Sequence, residues 1–142
     1  MKLPTTLFHS VLLASLVFAA TLASQAKQTH GQHQTASKTS ADTEIKKLFL
    51  TPKGAYTKAD IKANGGKTVY EKYPNFVAQH DASPRKGDRI CPITMTKANP
   101  KLTWVVAGKK YNFCCPPCVI EFVKQAKNNP KSIKDPQHYV KK

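Results

Sequence analysis

Apolar and polar positions are most sharply patterned between residues 102 and 128. Leu102 to Ala107 (LTWVVA) is dense in β-branched and aromatic residues, Gly108-Lys109 reads as a turn, and Lys110 to Cys114 (KYNFC) alternates polar and apolar side chains. That pattern predicts a β-hairpin. The period then changes. Val119, Ile120, Phe122, Val123 and Ala126 recur at helical spacing, with lysines on the other face and Asn128-Asn129-Pro130 as the stop. This helix starts at Cys115-Pro116-Pro117-Cys118, where prolines are tolerated because the first N–H groups of a helix have no internal partner. Further upstream, Thr57 to Asp60 reads as a helix start with Thr57 as N-cap, and Asn64-Gly65-Gly66 closes it. Residues 67–87 carry Tyr70, Tyr73, Phe76 and Val77 before breaking at Ser83-Pro84 and Gly87, and read as an extended arm along the neighbouring unit. A hairpin and a helix preceded by a short helical and extended segment make the chain α+β.

The amino-terminal pattern is different. Lys2, an apolar run from Val11 to Ala20 and small residues at Ser24 and Ala26 match a secretory signal peptide cleaved near Ala26. The run is short and broken by Ser15, whereas a membrane span takes about 20 apolar residues; an uncleaved amphipathic anchor is the other reading. Residues 27–43 (KQTHGQHQTASKTSADT) hold no large apolar side chain and cannot offset the entropy of ordering, so a disordered linker is expected there. Its His30 and His33 read as solvated rather than as a metal-catching pair. The expected organisation is a signal peptide (1–26), a linker (27–43), a helical and extended arm (44–87) and a carboxy-terminal unit (88–142), periplasmic or secreted. A core this small often needs a metal or a disulfide.

Charge adds little direction. The chain carries 23 Lys plus Arg against 8 Asp plus Glu, a net +15, and losing residues 1–26 removes Lys2 alone, leaving +14. The lysines are scattered, with no dense block and no basic–aromatic repeat, which argues against a nucleic-acid platform. They read as a solvated surface with weak association to anionic envelope polymers as a lesser property. There is no G-x-S-x-G elbow, no H-E-x-x-H and no phosphate-cradling glycine loop, so no enzymatic activity is expected. Trp104 and the tyrosines read as packing residues.

The cysteines carry the chemistry. Of four, Cys114, Cys115 and Cys118 fall within five positions and Cys91 stands apart. In an exported chain such thiols must be bridged, metal-bound or kept reduced by a partner. A disulfide framework joining Cys91 to Cys114 or Cys118 would stabilise a small core by about 3 kcal/mol, but three clustered thiols are poor placement for two bridges. A thiol-disulfide redox protein would use the Cys115/Cys118 pair at the helix start; only 24 residues follow Cys118, with no second strand pair to complete a thioredoxin-like fold. A Cys114–His80 nucleophile pair has no motif to mark it. In the third reading Cys114 ends a strand and Cys118 sits in the first helical turn, so both sulfurs converge near a helix N-terminus, whose partial positive charge favours thiolates. A hairpin between Cys91 and Cys114 returns the first thiol to the other two. Three thiolates suit one Zn(II) or Cu(I) ion and disfavour hard cations. A closed zinc site takes a fourth ligand, for which Cys115 ranks first and His80 second, ahead of His138 and Met95.

Cys91, 22 intervening residues, Cys114, three more and Cys118 also form a family-like pattern. It resembles the TRASH and YHS family of small heavy-metal-binding domains. Gly108-Lys109-Lys110-Tyr111-Asn112-Phe113-Cys114 is similar to that family's GKxYxFC strand, Phe122 to its aromatic helix position, and Asp135-Pro136-Gln137-His138-Tyr139 to its closing DPxxY. The resemblance spans residues 88–142. Two features depart from it: the stretch from Phe122 to Asp135 is longer, and Cys115 stands where the family has a small polar residue. The resemblance implies a treble-clef or zinc-ribbon-like fold and a role in metal sensing, trafficking or resistance, with a metal-transport or metal-resistance protein as partner.

Overall fold

The computed structural model describes residues 33–142, with side chains from Thr39 onward; the expected signal peptide and the start of the expected linker lie outside them. The elements run α1 (His33–Leu50), α2 (Lys58–Ala63), α3 (Val69–Lys72), β1 (Asn99–Val106), β2 (Lys109–Phe113) and α4 (Pro116–Asn128), followed by single 3-10 turns at Pro130–Ser132 and Pro136–Tyr139. The class is α+β, as expected, and β1 and β2 form an antiparallel two-stranded sheet.

Strand alternation sets the core face. Leu102, Trp104 and Val106 of β1 and Tyr111 and Phe113 of β2 are buried, with Trp104 opposite Tyr111. The connecting turn is Ala107-Gly108, one residue earlier than the pattern suggests. Both have positive φ, 52° and 72°, the combination whose twist matches that of the flanking strands. The Asp60 carboxylate holds the turn in that register by accepting the N–H groups of Ala107 at 3.1 Å and Gly108 at 2.8 Å. Helix α4 lays Val119, Phe122, Val123 and Ala126 against the hairpin. The Phe122 ring lies 4.8 Å from Tyr111 and 5.4 Å from Phe113, and Tyr139 of the last 3-10 turn meets it at 6.4 Å.

Within 44–87 the local caps decide the structure. In α2, Thr57 and Asp60 form a capping box, with Asp60 N–H donating to Thr57 Oγ1 (3.2 Å) and Thr57 N–H to Asp60 Oδ2 (2.8 Å). The helix stops at Asn64 as expected, and the Asn64 amide does more than cap. It donates to Val105 O (2.9 Å) and accepts from Val105 N–H (3.0 Å), pairing the outer edge of β1 as a strand would. Val69–Lys72 is a helical turn where extended chain was expected, because Thr68 and Glu71 make a second capping box and Val69 is fully buried. From Tyr73 to Gly87 the arm is irregular and runs past the hairpin, tied by Tyr73 OH to Thr103 O (2.8 Å).

From His33 onward the chain is helix rather than the disordered linker expected through Thr43. The anchor is the last turn of α1, where Ile45, Leu48 and Phe49 share a face and the buried Phe49 ring meets Trp104 at 5.0 Å. Thr39 to Glu44 are exposed, so tertiary packing holds this helix from one end. Lys127 of α4 closes that end by donating to Leu48 O and to Thr51 Oγ1 (3.3 Å), a basic group at the carbonyl terminus. Burial, then repulsion from Lys53, lowers the Lys127 pKa from its ordinary value. No helix among the described residues is long and apolar enough to cross a membrane.

Candidate metal centre

The junction between β2 and α4 positions three sulfurs. Cys114 directly follows β2, Cys115 is the extended N-cap of α4 (φ −155°, ψ 157°), and Pro116 and Pro117 occupy the first two helical positions. Proline's fixed φ and missing N–H make it a natural helix opener. The first N–H the helix can offer is that of Cys118, which donates to Cys115 O at 3.2 Å. Strand-to-helix reversal within five residues therefore gathers Cys114, Cys115 and Cys118.

Cys91 reaches them from a tight turn. Its N–H donates to Thr96 O (2.8 Å) while its carbonyl accepts from Met95 N–H (3.0 Å), and Met95 takes a positive φ of 58° to close the loop. Thr94 in this turn places Oγ1 3.3 Å from Cys114 Sγ, so the turn touches the end of β2 through side chains as well. Ile90 and Lys97 pair across the base of the turn.

The sulfurs of Cys91, Cys114 and Cys118 all lie within 4.8 Å of one another, and all three residues are buried. Cys114 Sγ is 3.5 Å from Cys118 Sγ and 3.8 Å from Cys115 Sγ, and Cys115 Sγ is 3.1 Å from Cys118 Sγ. A tetrahedral site with metal–sulfur bonds of about 2.3 Å has sulfur–sulfur edges of about 3.8 Å. The Cys114–Cys118 and Cys114–Cys115 separations match such an edge; the Cys115–Cys118 pair is tighter. All four cysteines are free thiols, and the 3.1 Å separation is well beyond the roughly 2.05 Å of a disulfide bond. The donor set is all sulfur at its centre, which fits a soft or borderline cation and excludes hard ones.

Electrostatics differ from the sequence expectation. Burial pushes the Cys118 thiol above its ordinary range, and its hydrogen bond with Cys115 and then the charge of Cys91 push it the same way. Desolvation thus outweighs the helix N-terminus, and with no cation present the neutral thiol is favoured.

The further candidate ligands differ in position. His80 and Cys115 join Cys114 in a second set whose ligand atoms lie within 4.8 Å of one another, with His80 exposed. Cys115 stands beside Cys114 and Cys118 but outside the mutually close set containing Cys91. His138 packs edge-on against Tyr139 at 5.4 Å and belongs to neither set among the described residues. Met95 is half-exposed, and its contribution to the site is the main-chain bond that closes the Cys91 turn. Thr94 is a site residue the sequence pattern did not single out; its position three residues after Cys91, inside the turn, is the available signal. A groove of about 510 Å³ beside α1 and α4, lined by Ile45, Leu48, Ile120 and Lys124 among others, includes no cysteine. Comparison of the chain with protein-family models, with curated proteins and with solved structures finds no match.

Proposed function

We propose that this chain is an exported carrier of one thiophilic metal ion, Cu(I) or Zn(II), held by Cys91, Cys114 and Cys118, with the thiol of Cys115 beside them. The observation that carries the reading is the convergence of three buried thiols from positions 91, 114 and 118 on one point. Burying several polarisable thiols together without a disulfide leaves only weak S–H hydrogen bonds between them, whereas a cation converts the same cluster into the tightest element of the fold. The resemblance of residues 88–142 to heavy-metal-binding domains supports trafficking or resistance as the setting, with a metal-transport or metal-resistance protein as recipient. The apolar run and small residues of 1–26 support export. The functional reading needs no catalysis.

Metal analysis of protein purified without chelator, combined with a count of free thiols, tests the proposal. The expected result is one ion per chain with no disulfide, lost alike in Cys91→Ser, Cys114→Ser and Cys118→Ser. Retention of metal in all three variants would overturn it. One observation favours a second reading: the 3.1 Å approach of Cys115 and Cys118 at the start of α4 suits a redox dithiol. In that case the wild type binds no metal, and a single Cys115–Cys118 disulfide forms and is reduced reversibly.

A further inference from the structure

We infer that His80, Cys115 and Cys114 form an outer coordination set through which the soft cation passes to and from the buried set of Cys91, Cys114 and Cys118. The inference rests on the metal-binding reading above and gives that site its route. Among the described residues two triads are present, and Cys114 belongs to both. Their exposure is graded: His80 is exposed, Cys115 and Cys118 keep 6% and 5% of their surface, and Cys91 and Cys114 keep none. An ion arriving with its own ligands cannot meet two fully enclosed sulfurs first. It meets the exposed imidazole of His80 first, with Cys115 and Cys114, the other members of that triad, behind it.

His80 is held in place for this. It lies on the irregular arm, where nothing in the local sequence pattern fixes a side chain, yet both neighbours are tied down by main-chain bonds. Gln79 N–H donates to the carbonyl of Cys114 itself (3.4 Å), and Asp81 O accepts from Lys97 N–H (2.9 Å), with Ser83 N–H closing on Asp81 Oδ1 (2.9 Å). Lys97 adjoins Thr96, whose carbonyl accepts from Cys91. The arm is thus fastened to the strand end that bears one sulfur and to the turn that bears another, and His80 sits between the two fastenings.

The transfer is a ligand exchange at constant oxidation state. Bonds from the ion to the His80 nitrogen and the Cys115 sulfur break as bonds to the Cys91 and Cys118 sulfurs form, and the Cys114 bond persists throughout. Of the two protons displaced from Cys91 and Cys118, one returns to Cys115 and one leaves to solvent. Release runs the same steps backwards. Neutral imidazole is a good ligand for both Zn(II) and copper but a less soft one than thiolate, which suits a station the ion must leave.

The test uses the full chain, reduced, with Cu(I) supplied as a coloured small-molecule chelate and followed by stopped-flow absorbance. Because His80 is exposed, His80→Ala should fold as the wild type, which circular dichroism checks. Loading from the chelate and release to it should both slow by about tenfold, the lower range for removing a positioned group around a metal, while stoichiometry and equilibrium affinity stay unchanged. Cys91→Ser should show the reverse, with early uptake retained and equilibrium affinity lost. Unchanged rates in His80→Ala overturn the route but leave the site standing. A loss of equilibrium affinity as large as that of Cys91→Ser overturns it too, since His80 is then a resident ligand. Failure of the wild type to load at all removes the metal-binding reading and this inference together.

Discussion

At the scale of single residues, several positions are fixed by contacts that tolerate no substitution, and Gly54 is the plainest. It has φ +57°, and a Cβ there would stand 2.6 Å from the carbonyl oxygens of both Ala126 and Lys127. Those are main-chain atoms near the end of α4, so they cannot swing aside as a side chain would. Gly54→Ala therefore combines left-handed strain of about 1–2 kcal/mol with a forced shift of the helix end, and a total loss of about 3 kcal/mol is expected. Gly65→Ala is the matching control: its φ is also positive, at 84°, but nothing lies within 4 Å of the added carbon. It should lose only about 1 kcal/mol. Urea midpoints of the two variants check this, and equal losses would mean that the approach to α4 carries no weight. The cysteines show how far a single-residue pattern reaches. Their meeting point was legible because a strand running into a proline-opened helix leaves Cys114, Cys115 and Cys118 nowhere else to go. The place of His80 was not legible, because it depends on main-chain ties from Gln79 and Asp81 to partners far away in the chain.

At the scale of elements, the short helix α2 acts as a clamp on the hairpin. Asp60 and Asn64 lie one turn apart on the same face and are both about 1% exposed. The Asp60 carboxylate accepts Thr57 N–H, Thr57 Oγ1–H, Ala107 N–H and Gly108 N–H, joining the start of the helix to the turn of the sheet. Removing it takes away bonds from the exposed residues Thr57 and Gly108 to a charged acceptor, each worth about 1.5–3 kcal/mol. Asp60→Ala should thus lose about 3 kcal/mol or more, and Asp60→Asn, which keeps one oxygen, should fall between. Amide exchange locates the effect: Gly108 should lose protection in Asp60→Ala before the paired strand residues do, while Ala107 keeps the carbonyl of Ala55 (3.1 Å) as its other acceptor. If the Gly108 amide keeps wild-type protection, the clamp is not what holds the turn. The hairpin, α4 and the caps of α2 could be read from the sequence because alternation, helical period and Thr-x-x-Asp spacing are local. The one-residue shift of the turn could not, since it is Asp60, far back in the chain, that stabilises the positive φ of Ala107. The Thr68-x-x-Glu71 box was local and readable, and it prevails over the extended pattern suggested by the aromatic residues around it. Helix α1 is the reverse case. Its polar half has no pattern of its own, and it is helical because Phe49 is anchored on Trp104.

At the scale of the whole molecule, the sulfurs join the Cys91 loop to a sheet and a helix that are already packed on each other. Cys91 belongs to a loop, Cys114 to the end of the sheet and Cys118 to α4, and the arm bearing His80 is tied to the first two. Without a cation this corner is held by the main-chain bonds of the Cys91 turn, the Thr94 contact and neutral thiols. A bound ion ties the three segments by covalent-strength bonds that the unfolded chain cannot assemble, so its binding free energy appears as folding free energy. With free metal a thousandfold above Kd the gain is about 4 kcal/mol, which in a domain of this size raises Tm by about 15 °C. Thermal unfolding of the reduced chain should show that rise with Cu(I) or Zn(II) and none with Mg(II), whose preference is for oxygen. A chelator should reverse it. In Cys118→Ser the metal-free Tm should barely move, because serine fills nearly the same space, while the metal-dependent rise disappears. A rise that survives in Cys118→Ser would place the ion elsewhere, on the scattered histidines and carboxylates of the surface, and would separate metal binding from the architecture that brings the sulfurs together.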